Sequence, residues 1–163
     1  MSDLPLDKGK EVWYNSNMKY TAVARKKPSA PLRYLSEHNL LVGDCLDYGS
    51  GRGFDADYYG MDKYDPYKAE WSNILLGTYK RYDTIVCSYV LNVVPMEVEY
   101  EILDNIQCLL KGDGTAYISV RRDFNRFHLS AKTLQRKVVL QLESVYLKKN
   151  RFEIYRMSKK EIE

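Results

Sequence analysis

One stretch constrains this chain more than any other: Cys-Leu-Asp-Tyr-Gly-Ser-Gly-Arg-Gly at residues 45–53, a short apolar run feeding glycines at alternate positions, Gly49, Gly51 and Gly53. A brief apolar run that ends abruptly in glycines reads as a buried strand delivered into a tight turn. Glycine adopts positive φ without steric cost and lets bare backbone approach a ligand. At the carboxyl end of a parallel strand, such a turn ordinarily serves a nucleoside-like molecule. The spacing is selective. A dinucleotide fingerprint wants Gly-x-Gly-x-x-Gly, and here Phe54 stands where the third glycine would be. No Gly-x-x-x-x-Gly-Lys-Ser/Thr occurs either, which argues against a phosphate-cradling nucleotidase loop. Asp47, two residues before Gly49, puts a carboxylate at the strand end, where it can accept hydrogen bonds from a cationic ligand or from the loop's own amides.

The rest of the chain supplies alternating strand and helix signals. Residues 1–28 are polar and basic with little periodicity and read as an extended arm; residues 29–163 read as a single domain, since 163 residues at 45% hydrophobic content suit one core. Ser29, with Pro31 in the first turn, opens a helix that buries Leu32, Leu35 and Tyr34, exposes His38 and ends at Gly43. Residues 82–91, YDTIVCSYVL, read as a buried strand bounded by Asp83. Pro95 opens a helix on which Val98, Ile102, Ile106 and Leu109/Leu110 recur at helical spacing, stopped by Gly112. Residues 115–123 are strand-like, and 137–147 and 151–157 flank a turn as a closing antiparallel pair. Together these predict an α/β sheet, parallel except near one edge.

Composition narrows the function. No run of about 18 apolar residues occurs and the N-terminus lacks an apolar signal core, so the expectation is a soluble, cytoplasmic protein with no membrane partner. Cys45, Cys87 and Cys108 are odd in number, widely spaced and set in apolar contexts; they read as small core residues, with no disulfide framework or zinc site. The net charge of +3 hides an asymmetry: from Thr115 onward twelve Lys or Arg face five Asp or Glu. A basic C-terminal third suits phosphates, or simply solvates the outer faces of late strands.

The motifs carry a resemblance. LDYGSGRG resembles motif I of class I S-adenosylmethionine-dependent methyltransferases, YDTIVCSYVLNVV their strand-four motif and LLKGDGTAYISVRRD their strand-five motif, in the expected order. From about Thr21 to Met157 the chain also resembles methyltransferase-like proteins of bacteriophages and of DNA phosphorothioation gene clusters, which would place it in a bacterial host cell. The resemblance implies a Rossmann-like sheet binding S-adenosyl-L-methionine. Gly49, Ser50, Gly51 and Gly53 would lie beneath the methionine part, and Asp47 near its amino group. An acid ending strand two would hold the ribose hydroxyls through charge-assisted hydrogen bonds. Ser88, Tyr89 and Asn92, in SYVLN, would lie under the adenine and the sulfonium.

That acid arrives early: Asp65 follows Gly53 by twelve positions, against the roughly 20 that a full helix and strand require. The second βα unit must be shortened, and no third strand with an acidic tail is evident before Tyr82. A strand ending at Gly-Met-Asp makes Asp62 the ribose acid and one ending at Met-Asp-Lys-Tyr-Asp makes it Asp65; the family's Asp-Pro-aromatic pattern, matched by YDPY, ranks Asp65 first.

For the chemistry, CSYVLN is not the Asn/Asp-Pro-Pro-aromatic tetrad of base amino-methyltransferases, and no Pro-Cys dipeptide supports cytosine C5 chemistry. Tyr89 and Asn92 are the candidate catalytic groups, as substrate-steering and anchoring residues; the alternatives are strand-end packing and helix capping. Arg25 and Lys26 on the arm, with Arg121, Arg122 and Arg126 after strand five, are candidate contacts to a phosphate-bearing substrate. His128 is a candidate general base at the rim. The leading expectation is a methyltransferase acting on nucleic acid or a nucleotide-like acceptor. The competing ones are a silent cofactor-binding module in DNA modification or defence, and an enzyme that degrades the cofactor.

Overall fold

Strand β1 (Cys45–Tyr48) runs down the middle of a parallel core, flanked by β2 (Asp62–Tyr64) and β3 (Tyr82–Ser88). The computed structural model describes residues 24–74, 80–123, 128–129 and 134–160. Strand β4 (Leu110–Arg121) continues the parallel set beside β3. Strand β8 (Phe152–Ser158) returns antiparallel to β4, and β7 (Glu143–Lys148) closes the edge antiparallel to β8. The six-stranded order is therefore β2-β1-β3-β4-β8-β7. This is the Rossmann-like α/β architecture expected, mostly parallel with an antiparallel C-terminal hairpin. A separate two-stranded ribbon, β5 (His128–Leu129) with β6 (Leu134–Gln135), was not anticipated.

The pleat distributes the sheet's side chains to two layers. Leu46, Tyr48, Ile85, Cys87, Ala116, Ile118 and Val120 face α3 (Met96–Leu109), whose Ile102, Ile106 and Leu109 complete the larger core. Val86, Tyr117 and Ile154 point the other way, against Leu32 and Leu35 of α1 (Ala30–Glu37) and Ala56 of α2 (Phe54–Tyr59). Among the described residues, two helices on one face and one on the other leave the carboxyl ends of β1, β3 and β4 open at the sheet's top.

Several boundaries differ from expectation for physical reasons. Helix α1 ends at Glu37, not Gly43; Asn39, at φ 57°, makes the left-handed turn, and Gly43 instead passes so close to Asp83 that a Cβ there would stand 2.1 Å from its carboxylate. Ser29 is positioned as N-cap but makes no capping bond. Its amide and hydroxyl both donate to Asp55, at 2.9 and 2.7 Å, tying α1 to α2. Helix α3 stops before Gly112 because Leu110 already pairs with Tyr82, so Gly112 lies within the long strand β4. Residues 137–142 precede β7 rather than extending it. Of the cysteines, Cys87 is buried, Cys45 half-buried and Cys108 exposed on α3, so the core reading fails for Cys108.

The shortened second unit is present as read. Helix α2 has six residues and β2 three, and among the described residues β2 is the sheet edge on that side. Between Asp65 and Tyr82 the described chain makes only one short 3-10 turn, Ala69–Trp71. No helix of the described residues is long and apolar enough to cross a membrane.

Candidate functional site

The glycine loop is held by the end of β2. Gly49 and Ser50 donate to the carbonyl of Tyr64 at 2.7 and 3.1 Å, and Gly51 donates to Oδ2 of Asp65 at 2.8 Å. Gly49, Gly51 and Gly53 have φ of 81°, 55° and 87°, in the left-handed region that only glycine occupies routinely. At Gly49 a close approach adds to the demand: a Cβ would stand 2.4 Å from Cγ2 of Val90. The glycines therefore serve the fold and the cleft together.

Asp65 is the hinge of this arrangement. Its two oxygens accept from Gly51 and Tyr67, its own amide donates to Ser72, and it lines a cleft of about 760 Å³. Burial pushes its carboxyl above the ordinary range, against the backbone donors that favour its charge. Asp62 is elsewhere. It accepts from Lys80 at 2.7 Å and Tyr82 at 2.8 Å and does not line the cleft; burial opposes its charge, but these partners outweigh it and hold its carboxyl below the usual range. The geometry thus places Asp65, and not Asp62, where a ligand can reach it.

Asp47 lines the cleft floor at 4% exposure. Burial, reinforced by Asp55 and Asp65 and opposed by Arg25, pushes its carboxyl up to about 8. Nearby, Ser50 Oγ and Ser88 Oγ are buried without a hydrogen-bond partner among the described residues, and both residues line the cleft. Buried hydroxyls normally find partners, so unfulfilled ones facing a cavity mark places where a ligand would complete them. Tyr67, Trp71, Val90 and Val93 add apolar and aromatic wall.

Tyr89 directly follows β3 with φ 62°, a conformation bulky residues rarely adopt, and its amide donates to the carbonyl of Ser119. Strain of this kind persists where surrounding structure over-determines it. Its ring lines the cleft, and burial raises its phenol to about 12, so it remains a neutral donor.

Besides Asp62, three of the candidate residues do not line the cleft. Asn92 is fully buried: its Oδ1 accepts from the amide of Arg121 at 2.8 Å and its Nδ2 donates to the carbonyl of Arg136 at 2.9 Å. It is a brace between β4 and the segment after β6, neither anchoring a ligand nor capping a helix. Arg122 is occupied by Glu153 and Tyr155, each at 2.8 Å, on the sheet. Lys26 is exposed and does not line the cleft, whereas Arg25 and Arg121 do. Of the other candidates, Arg126 and the His128 side chain lie outside the described residues.

Sequence reasoning missed Trp71, Gln135, Arg33, Lys148 and Arg151, all of which line the cleft. Gln135 is positioned by its neighbour. Arg136 donates from its amide to Asn92 O at 2.8 Å and from its guanidinium to Val94 O and to buried Glu99, both at 2.6 Å. Only the basic excess after Thr115 hinted at Lys148 and Arg151.

No protein-family model matches the sequence, nor does any curated protein. Solved structures do match. The N-methyltransferase NodS from Bradyrhizobium japonicum, in complex with S-adenosyl-L-homocysteine, aligns with a TM-score of 0.57 at 15% identity, over 90% of this chain and 99% of that one. The 1,6-didemethyltoxoflavin-N1-methyltransferase of Burkholderia thailandensis, with bound 1,6-didemethyltoxoflavin and S-adenosylhomocysteine, aligns with a TM-score of 0.56 at 19% identity, over 94% of this chain and 83% of that one. Magnesium protoporphyrin IX methyltransferase from Synechocystis, with bound S-adenosylmethionine, gives 0.51 at 14% identity, over 95% and 98%. The chain has the fold of the class I S-adenosylmethionine-dependent methyltransferases.

Proposed function

We propose that the cleft binds S-adenosyl-L-methionine and that the protein transfers its methyl group to an acceptor entering beside Tyr89. The observation that carries this reading is the glycine loop whose central amide is bound to Asp65, beside two buried serine hydroxyls with no partner among the described residues. These residues fit the cofactor chemically. Asp65 suits a pair of ribose hydroxyls, Asp47 an ammonium, and Trp71, Tyr67 and Val93 a planar base. The sulfonium supplies the reactive methyl, and the protein's task is alignment, which can provide much of the rate without a strong base. The neighbours named above are themselves methyltransferases, two with named small-molecule substrates.

The motif resemblance to phage and phosphorothioation-associated proteins supports a nucleic-acid or nucleotide-like acceptor, and the cations around the cleft are consistent with a phosphate-bearing one. Incubation with methyl-labelled cofactor, first alone and then with mononucleotides, DNA, RNA and cell extract, tests the reading. Label transferred to an acceptor is expected. Cofactor consumed without an acceptor would overturn transfer in favour of degradation, and tight binding without turnover would leave a binding module. Gly51→Asp, which adds a carboxylate beside Asp65, should abolish binding of S-adenosylhomocysteine in calorimetry. Unchanged affinity would remove the cofactor assignment itself.

A further inference from the structure

The charges of the cleft are sorted along the sheet. Asp47 on β1, Asp55 on α2 and Asp65 after β2 gather at one end; Arg121 on β4 and Lys148 and Arg151 at the β7–β8 turn gather at the other. Arg33 of α1 also lines the cleft, in a helix whose Tyr34 stacks on Tyr146 of β7 at 4.1 Å between ring centroids. Asp123, which also lines the cleft, engages Arg121 at 2.6 Å and feels Arg151 electrostatically, but the side chains of Arg33, Lys148 and Arg151 make no hydrogen bond or ion pair among the described residues. Two other arginines near these strands are neutralised: Arg122 pairs with Glu153 and Arg156 with Glu143.

The proposed cofactor gives these cations no purpose. S-adenosylmethionine carries an ammonium and a sulfonium against a single carboxylate, and Arg25, which lines the cleft and acts electrostatically on both Asp47 and Tyr89, is available to that carboxylate. A net-positive ligand is repelled by a cationic wall unless an anion shares the cleft. The basic end also holds the rings of Tyr89 and Phe152 and the buried Oε1 of Gln135, which has no hydrogen-bond partner among the described residues and wants a donor.

We infer that the end of the cleft bounded by Arg33, Tyr89, Gln135, Lys148, Arg151 and Phe152 is an acceptor subsite for a small aromatic or heterocyclic anion, a phosphomonoester or carboxylate bearing an N–H or O–H. The inference rests on the reading of the acidic end as the cofactor site. A small ligand fits better than a polymer, because the cations converge on one cleft of about 760 Å³, within the roughly 300–1,000 Å³ usual for small-molecule sites. Anion and cofactor should reinforce one another, and reciprocally, since each offsets the other's charge.

Calorimetry on the full chain with phenyl phosphate as probe tests this, titrated into the free protein and into its S-adenosylhomocysteine and S-adenosylmethionine complexes. Phenyl phosphate should bind free and complexed protein, and saturating phenyl phosphate should tighten S-adenosylmethionine by about fivefold. The double variant Lys148→Glu/Arg151→Glu should lose at least about tenfold in phenyl phosphate affinity, more than any change in S-adenosylhomocysteine affinity. Phenol, the same ring without the charge, should bind the unaltered protein at least about tenfold more weakly, a comparison that needs no variant. Phenyl phosphate that fails to bind, or binds no better than phenol, would overturn the subsite even with the cofactor bound normally. A single-stranded oligonucleotide binding far more tightly than phenyl phosphate would replace it with a polymer site. Loss of S-adenosylhomocysteine binding with phenyl phosphate binding retained would instead refute the cofactor reading.

Discussion

Asp47→Asn tests the electrostatics of the cleft floor directly. In the folded chain burial, with Asp55 and Asp65 adding to it and Arg25 opposing, lifts the Asp47 carboxyl to about 8, against an ordinary 3.8. Between those values the folded state holds a proton that the unfolded chain releases. Stability from this group is complete below the lower value and is lost as pH rises toward the upper one. Each pH unit removes about 1.4 kcal/mol, so the change from pH 5 to pH 7 costs roughly 3 kcal/mol and levels off above about pH 8. Asparagine keeps the shape and cannot ionise, so the variant should lack this slope. Urea denaturation at pH 5, 6, 7 and 8 reads it, and comparison with the unaltered protein cancels every other titrating group. Equal slopes in the two proteins would refute a protonated carboxyl at this position. The same group predicts that S-adenosylhomocysteine, whose ammonium would draw Asp47 into its charged form, binds with proton release near neutral pH.

The two carboxylates after the loop should separate cleanly. Asp65→Ala removes charge-assisted bonds to the ribose and the acceptor for Gly51, and S-adenosylhomocysteine affinity should fall by roughly 2–3 kcal/mol in calorimetry, more than in Asp62→Ala. Asp62→Ala should act on stability instead, by roughly 1–2 kcal/mol in denaturation, because the hydroxyl of Tyr82 loses its acceptor; the reverse ordering would move the ribose contact. Asn92→Ala should destabilise by roughly 2–4 kcal/mol, since it strands the amide of Arg121 and the carbonyl of Arg136 in the interior. A marginal loss of stability accompanied by lost turnover would restore Asn92 to the reaction.

Much of this protein was legible locally. The turn at Gly49–Gly53 announces itself because positive φ excludes other residues, and the strands announce themselves because a sheet covered on both faces needs unbroken apolar runs. Even the shortened second unit is a matter of counting residues between Gly53 and Asp65. Helix ends were less legible. Gly43 and Gly112 look like stops, but Asn39 had already turned the chain and Leu110 had already been claimed by Tyr82, and pairing across the sheet outranks the local signal.

The amino-acid order alone determined the α/β class, the place of the cleft and the glycine cradle, because each follows from backbone sterics and hydrophobic period within a few neighbouring residues. Only the tertiary structure decided which polar groups face that cleft. Asn92 and Tyr89 sit three residues apart, yet one is consumed by Arg121 and Arg136 and the other faces the open space. Arg122 was spent on Glu153, while Lys148 and Arg151 arrived from a hairpin far along the chain. Whether a side chain is free to meet a ligand depends on partners brought near by folding, and these lie at separations that no local pattern records.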